Sequence, residues 1–274
     1  MKVAVLGVGL IGGSIGLAVR GRAGARVTGW DADPSAGSRA RARGAIDEDT
    51  ARISDAVAGA DVVFVAVPVG SLAETVQAAL DAAGPDTIVT DAGSTKRAVV
   101  DTISDPRFIA GHPLAGSELT GVEHAREDLF EGATWFLCDE GASSAARERL
   151  DELISGFGAR PVQVDAGTHD RLMATISQLP HVLANLLVAQ AVEAGTGAVA
   201  GPSFRDATRV AGSNSAIWTD IYISNRTALI AAIDELIGRL EQVRILLGDG
   251  DAEALTEWNE RARAQREALL PPGS

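Results

Sequence analysis

This chain of 274 residues is poor in several things, and each scarcity removes a class of explanation. It has one cysteine, Cys138, so no intrachain disulfide can form and a reducing compartment is permitted. Its four histidines, at 112, 124, 169 and 181, fall at no zinc-ligand spacing, and no metal site is expected. There is no Gly-x-Ser-x-Gly elbow to suggest a serine hydrolase. Basic residues are in the minority, 24 Lys and Arg against 37 Asp and Glu for a net charge of −13, with no Lys/Arg run. That balance argues against a nucleic-acid or anionic-membrane partner. No uninterrupted apolar stretch reaches the ~18 residues of a membrane span. The N-terminus runs directly into Lys2-Val3-Ala4-Val5-Leu6 and then glycines, unlike a signal peptide. The expectation is a cytoplasmic protein that meets neither membrane nor nucleic acid.

Small and apolar residues are abundant: 46% of the chain is hydrophobic and it holds 30 glycines. Such a composition suits buried parallel strands flanked by closely packed helices. Short β-branched runs at 3–6, 26–30, 61–67, 87–90, 108–110, 134–138 and 161–164 alternate with helical patterns such as 11–19, 71–82 and 144–157. That alternation predicts βαβ units and a Rossmann-type, doubly wound, mostly parallel sheet. After about Thr168 no strand run appears and helical periodicity takes over. Two domains follow from this change, an α/β domain over 1–166 and an all-α helical bundle over 167–274. Ile233, Leu236, Leu240, Val243 and Leu247 are spaced 3-4-3-4, a seam expected to pack in a bundle core and able to serve a dimer as well.

The first motif with chemical content is Gly7-Val8-Gly9-Leu10-Ile11-Gly12, which follows a strand and opens an apolar helix. Its glycines allow a sharp turn and let backbone N–H groups approach a pyrophosphate at a helix N-terminus. Gly13 and Gly16 extend the close-packing face of that helix. Asp31 ends the next strand about 20 residues on, where a carboxylate accepts both ribose hydroxyls of NAD. A 2′-phosphate there would face Asp31 and Asp33, so NAD is expected over NADP. Val67, in Val65-Ala66-Val67-Pro68, is placed to line the same crevice.

Three further clusters follow: Asp91-Ala92-Gly93-Ser94-Thr95-Lys96 and Gly111-His112-Pro113-Leu114-Ala115-Gly116-Ser117-Glu118, each after a strand, and then Gln178-Leu179-Pro180-His181 with Phe204-Arg205-Asp206-Ala207-Thr208-Arg209 in the helical half. In this order, and over essentially the whole chain, they resemble the prephenate dehydrogenase family, which includes arogenate and cyclohexadienyl dehydrogenases. The matching stretches are 7–12 with Asp31, then 91–96, 111–118, 170–181, 204–211 and 217–225. The resemblance implies NAD-dependent oxidative decarboxylation of a cyclohexadienyl acid and a homodimer formed through the helical half. It implies His112 as the acceptor of the substrate's hydroxyl proton, with Ser94 positioning both. An imidazole titrating near neutrality suits such a base. A serine at 94 could equally cap the helix after it.

By the same resemblance Arg209 grips a substrate carboxylate, helped by Arg205 one turn earlier, and His181 lies near the substrate. Ser117, Glu118 and Asp206 form a polar rim. His124 and His169 are expected at the surface, and Lys96 as support for its loop. The sequence departs from the family pattern at Gln178, where a histidine is frequent, and at Ala200-Gly201-Pro202-Ser203 in place of a glycine run. Prephenate and arogenate therefore remain alternatives as substrate. A β-hydroxyacid dehydrogenase is disfavoured, since that class relies on a lysine in the helical half and none occurs from Thr168 onward. A catalytically dead NAD-sensing module is the remaining rival.

Overall fold

A computed structural model of the chain describes residues 1–116, 119–138, 140–196 and 199–270. Two compact units emerge, Met1–Leu229 and Ile230–Ser274. The first is built on one eight-stranded sheet of β1 (Lys2–Leu6), β2 (Arg26–Trp30), β3 (Glu48–Asp49), β4 (Val62–Val65), β5 (Ile88–Asp91), β6 (Phe108–Pro113), β7 (Thr134–Cys138) and β8 (Arg160–Gln163). Their spatial order is β3-β2-β1-β4-β5-β6-β7-β8. Every neighbouring pair is parallel except β6 with β7. All seven strand runs visible in the sequence are present. Only β3 is new, and its two residues are too short to show a pattern.

Alternation along the central strands sorts the core onto two faces. Val3, Val5, Val27, Val62, Phe64, Ile88 and Ile109 pack with α1 (Leu10–Ala23) and α6 (Ser144–Gly156). Ala4, Leu6, Val63, Val65, Val89 and Ala110 pack on the other face with α3 (Ile53–Val57) and α4 (Leu72–Ala82). Two buried faces require apolar residues at both parities, which is why these strands read as continuous hydrophobic runs. The strand order reverses at β1, so the crevice of a doubly wound sheet opens at the carboxyl ends of β1 and β4. The remaining helices of this part are α2 (Pro34–Arg43) and the single turn α5 (Arg97–Val100).

Beyond β8 come α7 (Ala166–Met173), a π-helical turn (Ala174–Gln178), α8 (Leu179–Glu193), α9 (Pro202–Thr208), a 3₁₀ turn (Arg209–Gly212) and α10 (Ser215–Ser224). These helices belong to the same compact unit as the sheet. Polar contacts tie them to it. Asp170 on α7 accepts from the backbone N–H groups of Lys96 (2.8 Å) and Arg97 (2.9 Å), Thr95 Oγ1 meets Ser224 Oγ at 2.8 Å, and Gly70 N–H donates to Asp220 at 3.3 Å. Contrary to the run-by-run reading, the continuous helix Ala166–Glu193 is long and apolar enough to cross a membrane by length and composition. Its apolar residues are interspersed with Thr, Ser, Gln and His, so no single run announces it. It carries buried His169, Asp170, Gln178 and His181, the marks of a helix pinned to a folded core.

The second unit holds the rest of α11 (Arg226–Asp249) and α12 (Ala252–Leu269). None of its described residues is buried. The 233–247 seam, expected in a bundle core, leaves Ile233, Leu236 and Val243 half-buried and Leu240 and Leu247 exposed. Two helices alone have too few neighbours to cover it.

Candidate active site

The glycine turn shows why its residues are glycines. Gly7 sits at φ +89°, and a Cβ there would lie 2.4 Å from Ala66 O. A Cβ on Gly12 would lie 1.8 Å from Gly7 O, so the first turn of α1 can close onto the strand end only without side chains. Above Gly9, by contrast, a Cβ would meet nothing within 4 Å. Gly9 is the N-cap of α1 and brings no side-chain acceptor, so the first N–H groups of the helix are left for another partner. Leu10 and Ile11 are half-buried beside this opening, and Val67 Cγ1 would touch a Gly7 Cβ at 3.1 Å. Asp31 is half-buried at the end of β2. One carboxylate oxygen accepts from Val8 N–H (2.8 Å) and the other from Asp33 N–H (2.9 Å), which fixes the group and leaves lone pairs outward.

No basic residue stands by to invert the preference for a free 2′-hydroxyl. Arg39 is engaged by Asp33 (3.2 Å) and Glu123 (3.0 Å), and Arg41 by Asp49 (3.2 Å). Asp33 itself caps α2, accepting from Ser35 N–H at 2.9 Å. An open, uncapped helix N-terminus and an oriented carboxylate fit a dinucleotide with an unphosphorylated ribose.

His112 lies near the end of β6, half-buried, and the segment after it runs past α1, where a Cβ on Gly116 would come within 3.8 Å of Ile11 Cδ1. The strand end is braced from below. Asp91 accepts from Gly93 N–H (2.8 Å) and Gly111 N–H (3.0 Å), and pairs with the fully buried Lys96 ammonium, which also donates to Gly111 O at 2.6 Å. Lys96 thus supports the loop, in line with expectation, and binds β5 to the residue before His112. Burial, the neighbouring His169 and the Lys96 charge hold the His112 imidazole neutral to well below its ordinary value of 6.5.

His169 corrects the sequence reading. It is wholly buried, with Nε2 2.9 Å from His112 Nδ1 and Nδ1 2.7 Å from Asp170 Oδ1, and Phe136 stands edge-on to its ring. One histidine in an otherwise polar helix start gives no burial signal, and only the packing of α7 on β6 supplies it. His124 is exposed as expected. Ser94 is half-buried in the loop between Asp91 and Lys96. It does not cap a helix: α5 begins at Arg97, and the N–H groups of Lys96 and Arg97 are taken by Asp170. The capping alternative for Ser94 is therefore removed.

His181 is buried at the start of α8. Its ring stacks on Trp218 at 3.7 Å and 6°, its Nδ1 is hydrogen-bonded to the hydroxyl of Tyr222, and its Nε2 is a buried nitrogen without a hydrogen-bond partner among the described residues. Burial lowers its pKa. The Arg209–Gly212 turn packs against α8, and Arg209 is exposed in it. Arg205 and Asp206 are exposed on α9, while Ser117 and Glu118 lie outside the described residues. Gln178 is buried and accepts from Asn225 Nδ2 (2.9 Å), which also donates to Asp170 O (2.8 Å). The departure at 178 is thus filled by a helix-to-helix hydrogen bond. His169, Asp170, Trp218, Tyr222 and Asn225 received no role from the sequence. The adjacent His-Asp pair and the chain's only tyrosine were the available signals.

Comparison with known proteins decides the family. Residues 15–163 match the model "Prephenate dehydrogenase, nucleotide-binding domain" and residues 165–260 match "Prephenate dehydrogenase, dimerization domain". The chain belongs to the prephenate dehydrogenase family. It is 34% identical to prephenate dehydrogenase of Bacillus subtilis over 98% of this chain and 76% of that one. With cyclohexadienyl dehydrogenase of Zymomonas mobilis the identity is 33%, over 97% and 95%. Among solved structures, prephenate dehydrogenase from A. aeolicus in complex with hydroxyphenyl propionate and NAD+ superimposes with TM-score 0.89 at 27% identity, covering 98% of both chains. Synechocystis arogenate dehydrogenase does so with TM-score 0.84 at 26% identity, covering 98% and 100%. As a member of the prephenate dehydrogenase family, the chain is an NAD-dependent oxidoreductase.

Proposed function

We propose that the protein oxidatively decarboxylates prephenate to 4-hydroxyphenylpyruvate. The observation that carries this reading is His112: a neutral imidazole at the carboxyl end of β6, braced by Asp91 and Lys96, on the same edge of the parallel sheet as the glycine turn where the dinucleotide fits. NAD supplies the hydride acceptor when bound. On this reading His112 takes the proton of the ring hydroxyl as the C–H bond breaks. Loss of carbon dioxide then leaves its electron pair in the ring, which becomes aromatic, and the proton returns to the phenolate oxygen. Ser94 orients the hydroxyl against His112. Arg209 clamps a carboxylate, since a guanidinium fork matches a planar anion, with Arg205 assisting. His181, whose unpartnered Nε2 requires a polar group, binds the substrate's polar periphery, and Ser117, Glu118 and Asp206 form the rim. Gly7, Gly9, Leu10, Ile11, Gly12, Asp31 and Val67, with Ser94, hold the cofactor.

The uncovered seam of α11 supports a homodimer through the helical half, which the matched dimerization domain also suggests, and light scattering should return twice the chain mass. The compartment that fits this reading is the cytoplasm. NADH production measured in parallel with prephenate and arogenate tests the substrate. Prephenate should be preferred, and a preference for arogenate above about tenfold, roughly 1.4 kcal/mol of transition-state discrimination, would reverse the assignment. His112→Asn should lower kcat by about 10²–10⁴-fold with NAD still bound.

A further inference from the structure

We propose that His169 and Asp170 are positioning residues that set the tautomer of His112, through a hydrogen-bonded relay leaving its Nε2 bare toward the substrate. This rests on reading His112 as the base. The order of donors follows from the far end. Asp170 accepts from the Lys96 and Arg97 N–H groups through its two oxygens, and Oδ1 lies 2.7 Å from His169 Nδ1. A carboxylate so engaged is an acceptor there, so His169 carries its proton on Nδ1. His169 is neutral, since burial and the Lys96 charge lower its pKa in spite of Asp170. Its Nε2 is therefore a bare lone pair, 2.9 Å from His112 Nδ1. Two lone pairs cannot face each other at that distance, so His112 Nδ1 holds the proton and Nε2 is the open acceptor. The other tautomer would turn a donor toward the substrate hydroxyl and could not take its proton.

The relay also serves the charged stage. When the hydroxyl O–H bond breaks and an N–H bond forms at Nε2, the imidazolium's Nδ1–H is already held by His169, and Asp170 polarises that ring. A serine protease's aspartate orients its histidine by the same logic. The titratable groups acting on His112 are His169 from α7, backed by Asp170, and Lys96 from the loop after β5, whose charge is paired with Asp91; Phe136 stands opposite it on β7. Asp170 additionally caps α5, so a purely structural function predicts lost folding and nothing more.

The experiment uses the full chain with ¹⁵N-labelled histidine, read by NMR without substrate and then by kinetics. In the wild type, His112 should show a protonated Nδ1 and an unprotonated Nε2, and His169 the same. Asp170→Ala removes the acceptor from His169 Nδ1, which should release both rings from a single tautomer. It should lower kcat by at least about 100-fold, with substrate KM within about threefold. His169→Gln removes the neighbour that helps depress His112, so the acid limb of kcat/KM should move up toward 6.5. A wild-type His112 protonated at Nε2 overturns the proposal even if neither variant folds. So does an Asp170→Ala protein that keeps the wild-type tautomers, or one that loses activity only in proportion to its folded fraction. Correct tautomers without turnover of prephenate would instead sink the functional reading and leave the relay standing.

Discussion

The proposed cofactor contact rests on single side chains. Asp31 is held by two backbone N–H groups with its remaining lone pairs outward. Hydrogen bonds to a charged acceptor contribute roughly 1.5–3 kcal/mol, so Asp31→Ser should weaken NAD binding by about 10–100-fold. It should do little for NADP, because Arg39 and Arg41 are occupied by acids. Fluorescence titration with both reduced cofactors checks this, and a switch to tight NADP binding would contradict it. Arg209→Ala should raise the substrate KM and cost about 10–100-fold in kcat/KM, by the same magnitude for a charged clamp. Cys138 is buried with its thiol pushed up to about 12, so at pH 8 it should react with a disulfide reagent only after unfolding.

At the scale of elements, the run α7, π turn, α8 is the part on which the proposed site depends. The π turn changes the phase of the helix between buried His169 and buried His181, and such turns concentrate where a helix must aim functional side chains. Asn225 locks it by bridging Asp170 O and Gln178 Oε1. Asn225→Leu leaves Gln178 Oε1 buried without its donor, a loss of about 1–3 kcal/mol, and strips Asp170 O of its second one. The melting temperature should fall by several degrees and kcat should drop too, since His169 and Asp170 ride on the same helix. A stable variant with unchanged kcat would show that the bridge does not set the helix phase.

For the whole molecule, acid sensitivity follows from two histidines kept neutral by their surroundings. His112 and His169 both titrate below the ordinary 6.5 when folded. Above pH 6.5 they are neutral in either state and stability is undiminished. Below it the unfolded chain binds protons that the folded chain refuses, and each histidine costs up to about 1.4 kcal/mol per pH unit. Thermal denaturation between pH 7.5 and 5 should show this decline, and the acid limb of kcat/KM should fall below 6.5. A melting temperature flat across that interval would contradict the neutral assignment.

Much of the molecule was legible in the order of its residues. Two-sided burial makes parallel strands continuous apolar runs, and the steric demands of a tight turn select glycine at 7 and 12, so the sheet and the dinucleotide crevice announce themselves locally. The His112 and Arg209 clusters were visible for a different reason: they are short contiguous motifs. The burial of His169, the use of Asp170 on both a helix cap and an imidazole, the stack of Trp218 on His181 and the exposure of the α11 seam were decided by tertiary structure alone. Each depends on which surfaces meet across long stretches of chain, and a side chain's environment is set by those partners rather than by its sequence neighbours.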